Sequence, residues 1–274
     1  MPPRIGHAVR HGVSPKPLRE MRIEPRASSK AGSRLVLEAP SAPRPPATRR
    51  ERDSVVQARP GPSAPDQILQ FDGAATNDNI PFSGLEVIPP DANGAAGPSH
   101  YFQAINLVFR IFDKAGNLVL GPLPNAGLWA GLGGICSTST PTTPFVKYDT
   151  LAGRWFVSQA GYDSDDGSTH QCIAVSTTGD PTGTYAQYDF VIDLAGLPPH
   201  PIATNSRFGI WPEAYYMTVN QFGDSGSAGF GIYAFDRAAM LSGAPASFEY
   251  VSPGDTYPST MWGIPSDLDG SSPP

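Results

Sequence analysis

The segment WPEAYYMT, residues 211–218, holds the side chains best suited to chemistry. Glu213 stands beside Tyr215 and Tyr216 and close to Trp211. A glutamate with a tyrosine can supply base and nucleophile in glycoside cleavage. A carboxylate held among aromatic rings has a raised pKa, which suits a general acid. On a strand, Glu213, Tyr215 and Met217 share one face and Tyr216 takes the other. Glu213 and Tyr215 are therefore the candidate catalytic pair. The plainer reading is a strand begun by Pro212 whose aromatics are core, because no second carboxylate pairs with Glu213 at a readable spacing. Sialidase-type cleavage also needs a cluster of arginines, and residues 66–274 offer Arg110, Arg154, Arg207 and Arg237 at scattered positions. Trp129, Trp211, Tyr216 and Trp262 are the candidate ligand-binding residues, since flat rings stack on sugar faces; the same rings serve equally as core.

Acidic loops are the candidate metal sites. Asp163, Asp165 and Asp166 fall within DSDDG, and Asp267 and Asp269 within DLDG. Calcium loops place oxygen ligands at alternate positions beside a glycine turn, so calcium is the cofactor these loops could take. Asp91 and Asn93 begin a similar pattern that lapses at Ala95. None completes a helix–loop–helix calcium motif, and Asx turns explain the same residues. His100, His170 and His200 lie far apart in expected loops, without zinc spacing. No Gly-x-Ser-x-Gly elbow is present. Cys136 and Cys172, 36 positions apart, read as a disulfide beside predicted strands, with two buried thiols as the alternative. A bridge closing that loop would add roughly 4 kcal/mol.

The elements that must carry these residues are strands. FVKYDTLAGRWFVSQ and QCIAVSTTGDPTGTYAQYDF each read as strand, tight turn, strand. Repeated at this spacing, such units make an antiparallel meander. Residues 85–88, 101–106, 107–112, 118–120, 207–210, 214–220 and 229–236 add strands, and DKAGN at 113–117 is a hairpin turn with Gly116 at the left-handed position. TGDPTGTY is similar to the Asp-box of sialidase-type propellers with one residue inserted, a structural role for Asp180 and Tyr185. RAAML at 237–241 is the expected short helix, with Asp236 as its N-cap. LWAGLGGIC at 128–136 is expected to be a close-packed bend and not a phosphate loop, because the Lys-Ser/Thr ending is missing and no helix is expected after it.

Charge divides the chain. Residues 1–65 hold 13 Lys+Arg against 5 Asp+Glu, and the rest holds 6 against 20. The first part is rich in Pro and Arg and lacks an apolar period, so residues 1–65 are expected to be a disordered basic leader or pro-region. The acidity of residues 66–274 excludes nucleic acid as their partner, and no apolar run is long enough to span a membrane. The expected fold is all-β, antiparallel meander sheets forming a partial β-propeller over residues 66–274. A propeller needs about four or more blades, and about three strand clusters are readable. The domain is therefore either smaller than a propeller or a piece of one.

VIPPDANGAAGPSHYFQAIN, FDKAGNLVLGP, LWAGLGGIC, FGIWPEAYYMTVNQF, YAFDRAAMLSG and IPSDLDG, in this order, resemble a family of largely uncharacterised secreted bacterial proteins. The resemblance covers about residues 85–270, and SPKPLREM at 14–21 resembles the family's pro-region. It implies a β-propeller-like domain, an extracellular or cell-envelope location, cysteines matching Cys136 and Cys172, and truncation at both ends. It carries over no catalytic residue. The expected role is non-catalytic binding of a glycan or an extracellular protein. The alternatives are a polysaccharide hydrolase or lyase with Glu213 as acid, and a fragment with no function of its own.

Overall fold

Apolar residues alternating on both faces of successive strands dictate stacked sheets. The structure, a computed structural model, describes residues 3–23, 33–36, 66–138, 142–192, 202–223, 226–252 and 263–268. Its strands are β1 (Arg4–His7), β2 (Arg10–Val13), β3 (Ser33–Val36), β4 (Leu85–Ile88), β5 (Asn93–Ala96), β6 (His100–Ala104), β7 (Val108–Asp113) and β8 (Leu118–Pro124). They continue with β9 (Thr142–Asp149), β10 (Arg154–Tyr162), β11 (Thr169–Ser176), β12 (Tyr185–Val191), β13 (Ile202–Ile210), β14 (Ala214–Gly223), β15 (Gly226–Asp236) and β16 (Ser247–Val251). Three antiparallel meanders result: β5-β6-β7-β8, β9 to β12, and β13 to β16. β3 and β4 pair separately, in parallel.

The middle sheet explains why its strands read as almost continuous apolar runs. Phe156, Ile173, Tyr188 and Phe190 pack against Phe208, Tyr215, Met217 and Phe235 of the third sheet. Their neighbours Val157, Cys172, Ala174 and Tyr185 pack on the opposite side with Phe102, Phe109 and Ile111 of the first sheet. Each fully buried side chain of this size contributes about 1.5–3 kcal/mol. Consecutive four-stranded meanders stacked face to face are the arrangement of propeller blades.

The N-terminal segment corrects one expectation. Within residues 1–65, expected to be disordered, residues 3–23 are ordered against the sheets. β1 pairs with β16 and β2 with β12, so one segment extends the outer edges of two successive sheets. Leu18 is buried, and the Leu18 and Arg19 amides donate to the Gly183 and Thr182 carbonyls. Arg19 also pairs with Asp180 at 3.1 Å. The order comes from backbone hydrogen bonds to open strand edges, while Ile5, Val9 and Val13 stay exposed.

The turns behave as read. Asp113 Oδ1 accepts from the Ala115 and Asn117 amides, with Gly116 at φ 83°. The Asp113 carboxyl is held below its ordinary range, first by the Asn117 side chain. Asp180 Oδ1 accepts from Thr182 N at 2.9 Å, and Tyr185 is buried beneath that turn. Asp236 caps the short helix Arg237–Ser242 through the Ala239 amide. Past the glycines of 128–136 the chain does form a helical turn, Ile135–Thr138, contrary to expectation. There the Cys136–Cys172 disulfide anchors it to β11. Gln159 and Gln187 donate from the middle sheet to the Cys136 and Leu128 carbonyls of the same segment.

Burial pushes the phenols of Tyr185 and Tyr215 well above their ordinary range and that of Tyr188 up to about 12. Unfolded tyrosine loses its proton near pH 10. Above that pH the folded chain holds more protons than the unfolded one, so stability is complete below about pH 10 and falls as pH rises toward 12. In an alkaline titration, the tyrosinate absorbance of these residues should appear together with loss of the β circular dichroism signal. Absorbance that clearly precedes unfolding would contradict the burial argument.

Candidate functional site

The structure brings together part of the 211–218 constellation and separates the rest. Trp211 N donates to Ala214 O at 3.1 Å, so residues 211–214 form a turn and β14 starts only at Ala214. The strand parity that would align Glu213 with Tyr215 therefore does not apply. Tyr216 points outward and donates its hydroxyl to Glu213 Oε1 at 2.8 Å. Burial, then the hydrogen bond and charge of Glu213, raise the Tyr216 phenol above its ordinary range. It is a protonated donor to the carboxylate, not a base.

Tyr215, the expected catalytic partner, faces the core and is fully buried. Its hydroxyl donates to Asp149 Oδ2 at 2.9 Å. Arg237 donates to the same carboxylate, from Nε at 2.8 Å and from Nη2 at 3.0 Å. The guanidinium loses by burial, but the Asp149 hydrogen bond and charge outweigh that and raise its pKa. Arg237 Nη1 donates to Pro212 O, which ties this buried cluster to the turn that carries Glu213.

Around Glu213 lies an open groove of about 460 Å³, lined by Trp211, Tyr216, Phe230, Ile232 and Ile264. Among the described residues that line it, Glu213 is the one carboxylate, and the charge of Glu249 also reaches Tyr216. Trp211 Nε1 donates to Ser266 O, which holds residues 263–266 along the groove. The arginines do not converge on it: Arg110 pairs with Asp78, and Arg154 donates to the Ala152 and Gly153 carbonyls.

The other expected site residues have structural places. Trp129 is fully buried, with its indole donating to Ile173 O, and presents no face to a ligand. Trp262 and Asp269 lie outside the described residues. Asp163 and Asp166 accept from the Asp165 and Ser168 amides in Asx turns. Asp267 pairs with Lys147 and accepts from Ile210 N. Among the described residues, no three His, Cys, Asp or Glu side chains converge as metal ligands.

Sequence reasoning missed two features. β11 begins at Thr169, so His170 sits in a strand and is buried, not in a loop. Its Nδ1 lies 2.6 Å from Asp189 Oδ1 and its Nε2 3.0 Å from Ser168 Oγ, the order of a serine nucleophile, base and orienting carboxylate. The adjacent amides are already engaged: Gly167 N donates to Asp163 O and Ser168 N to Asp166 Oδ1. They cannot serve as an oxyanion hole. Arg10 Nε of β2 lies 4.0 Å from Asp189 Oδ2, which places the cluster beside the N-terminal segment. The second feature is a polar cavity of about 240 Å³ where β5, β9 and β13 meet, lined by Asp91, Asn93, Thr143, Asn205 and Arg207. Asp91 and Asn93 carried a weak motif, but nothing in the sequence joined them to residues 143 and 205.

The fold is that of an all-β protein of stacked antiparallel meanders, with an aromatic-lined groove on its surface. No protein-family model and no curated protein matches the chain. Among solved structures it is similar to the GH43 endo-arabinanase from Bacillus licheniformis, at 11% identity and a TM-score of 0.35. The match covers 64% of this chain and 56% of that one, and at this level it carries neither a fold assignment nor a substrate.

Proposed function

We propose that this protein is an extracellular, non-catalytic glycan-binding protein whose ligand lies in the Trp211–Tyr216 groove. The observation that carries the reading is the lining itself: aromatic rings beside one carboxylate that is oriented by a phenol. Trp211 and Tyr216 stack on sugar faces, and Glu213 accepts from a sugar hydroxyl while Tyr216 holds its other bond. Glycoside hydrolysis uses a pair of carboxylates across the scissile bond; among the described lining residues Glu213 is the one carboxylate, with Glu249 in register with Tyr216 two strands away on the same sheet. The Cys136–Cys172 disulfide fits an oxidising compartment. No described helix is long and apolar enough to cross a membrane.

Binding to a glycan array, followed by titration calorimetry of the best ligand, tests this. Trp211→Ala should weaken binding at least about tenfold, the equivalent of 1.4 kcal/mol. Glu213→Gln, which keeps an acceptor oxygen, should stay within about threefold. Release of reducing sugar by the wild type, abolished in Glu213→Gln with affinity kept, would replace binding with hydrolysis. A second reading has one observation behind it: Ile264 is 74% exposed in the groove lining, and Ile5 and Val251 are exposed on the same sheet. If that apolar face is covered by protein, the chain will self-associate in sedimentation, and Trp211→Ala will reduce association instead of glycan binding.

A further inference from the structure

We infer that the polar cavity between β5, β9 and β13 is a second ligand site, separate from the groove, that takes one neutral sugar ring. Each of the three sheets contributes its first strand or the turn before it. Each contribution includes a residue other than glycine in the left-handed region: Asp91 at φ 45°, Thr143 at φ 49° and Asn205 at φ 57°. Asp and Asn visit this region at some cost, and a β-branched threonine does so rarely. All three line the one cavity. Pairing slips beside two of them, between Thr204 and Arg207 in β13 and opposite Ser158 and Ala160 in β9. Bulges and strained residues that re-aim side chains gather where ligands bind.

The polar groups are held but not used up. Buried Asn106 is the central support: its Nδ2 donates to Asp91 Oδ2 at 3.1 Å, and its Oδ1 accepts from Thr143 N at 3.0 Å. Asn93 Oδ1 accepts from Val146 N, which leaves its amide NH₂ as a donor. Thr143 Oγ1 is buried without a partner, a cost that a bound hydroxyl would relieve. Arg207 donates from Nη1 to Ser206 O. Asp91 and Arg207 share the cavity, yet neither takes part in the ion pairs found among the described residues.

This wall presents a carboxylate, a guanidinium, two amides and a hydroxyl at short range. A bare cation is opposed by Arg207 and a simple anion by Asp91. A group that both donates and accepts at each position satisfies them all, and neighbouring sugar hydroxyls do so. The volume suits one ring and not a longer chain segment.

Saturation-transfer NMR on the full chain, with the methyl pyranosides of glucose, galactose, mannose and xylose at millimolar concentration, is the test. At least one should bind. Asp91→Asn keeps the left-handed preference and Arg207→Met keeps the stem, and each should weaken binding at least about tenfold. The measurement is made in the Trp211→Ala background, where binding in the groove is weakened, so that a signal lost with Asp91 or Arg207 belongs to the cavity. Thr143→Val provides an independent weakening variant should either of the first two melt early. Binding of none of the four, or binding unaffected by these variants, overturns the inference. Tighter binding of glucuronate or glucosamine than of the neutral sugars overturns the assignment to a neutral ring.

Discussion

Replacing Asp149 by alanine is expected to cost about 3–5 kcal/mol of folding stability, among the largest losses available to a single change in this chain. Asp149 is completely buried where the middle and third sheets meet, and its side chain accepts from Tyr215, from Arg237 twice and from the Ala152 amide. Without the carboxylate, the Arg237 guanidinium, 10% exposed, stays in the core uncompensated. Urea denaturation of wild type and variant measures the loss. The double variant Asp149→Ala with Arg237→Met should recover part of it, because the stranded charge is gone. A loss below about 1 kcal/mol would place the pair in the range of solvated surface bridges and sink the argument. The effect should also reach the groove. Arg237 holds the Pro212 carbonyl, so the turn that aims Trp211 and Glu213 loses its support. Glycan affinity in Asp149→Ala should therefore fall under conditions where the variant is still folded.

Reduction of the Cys136–Cys172 disulfide should lower stability by roughly 4 kcal/mol, as expected for a closed loop of this length. The bridge joins the glycine-rich segment 128–136 to β11, and its removal leaves that segment held by Trp129 and by the Gln159 and Gln187 amides. Denaturation with and without reductant, compared with the Cys136→Ala and Cys172→Ala double variant, measures the term. The two routes should agree. If reductant has no effect while the double variant is destabilised, the loss belongs to packing at buried sulfur positions and not to the covalent link.

Much of this architecture was legible without coordinates, because alternation and turn chemistry are local. The pattern in FVKYD and RWFVSQ needs only neighbours to declare strand, and Asp113, Gly116 and Asp180 make turns through amides two to four residues away. The helix capped by Asp236 is local in the same way. The N-terminal strands were not legible. Their order depends on open edges more than a hundred residues downstream, while their own side chains stay in water. Glu213 shows how small the boundary can be: parity along a strand predicted Tyr215 as its neighbour, but the turn at 211–214 precedes the strand and hands the carboxylate to Tyr216.

By itself, then, the sequence determined most strands of the three meanders, the tight turns, the cap of the short helix Arg237–Ser242 and the pairing partners available to its two cysteines. These are decided by backbone geometry and by side chains within a few positions. Only the tertiary structure decided which polar groups meet. His170 with Asp189, Asp149 with Arg237 and Tyr215, and Asp91 with Thr143 and Asn205 are each brought together by sheet pairing or sheet stacking. The physical reason is that burial makes such polar groups seek partners, while the register and stacking of whole sheets choose which partners lie within reach.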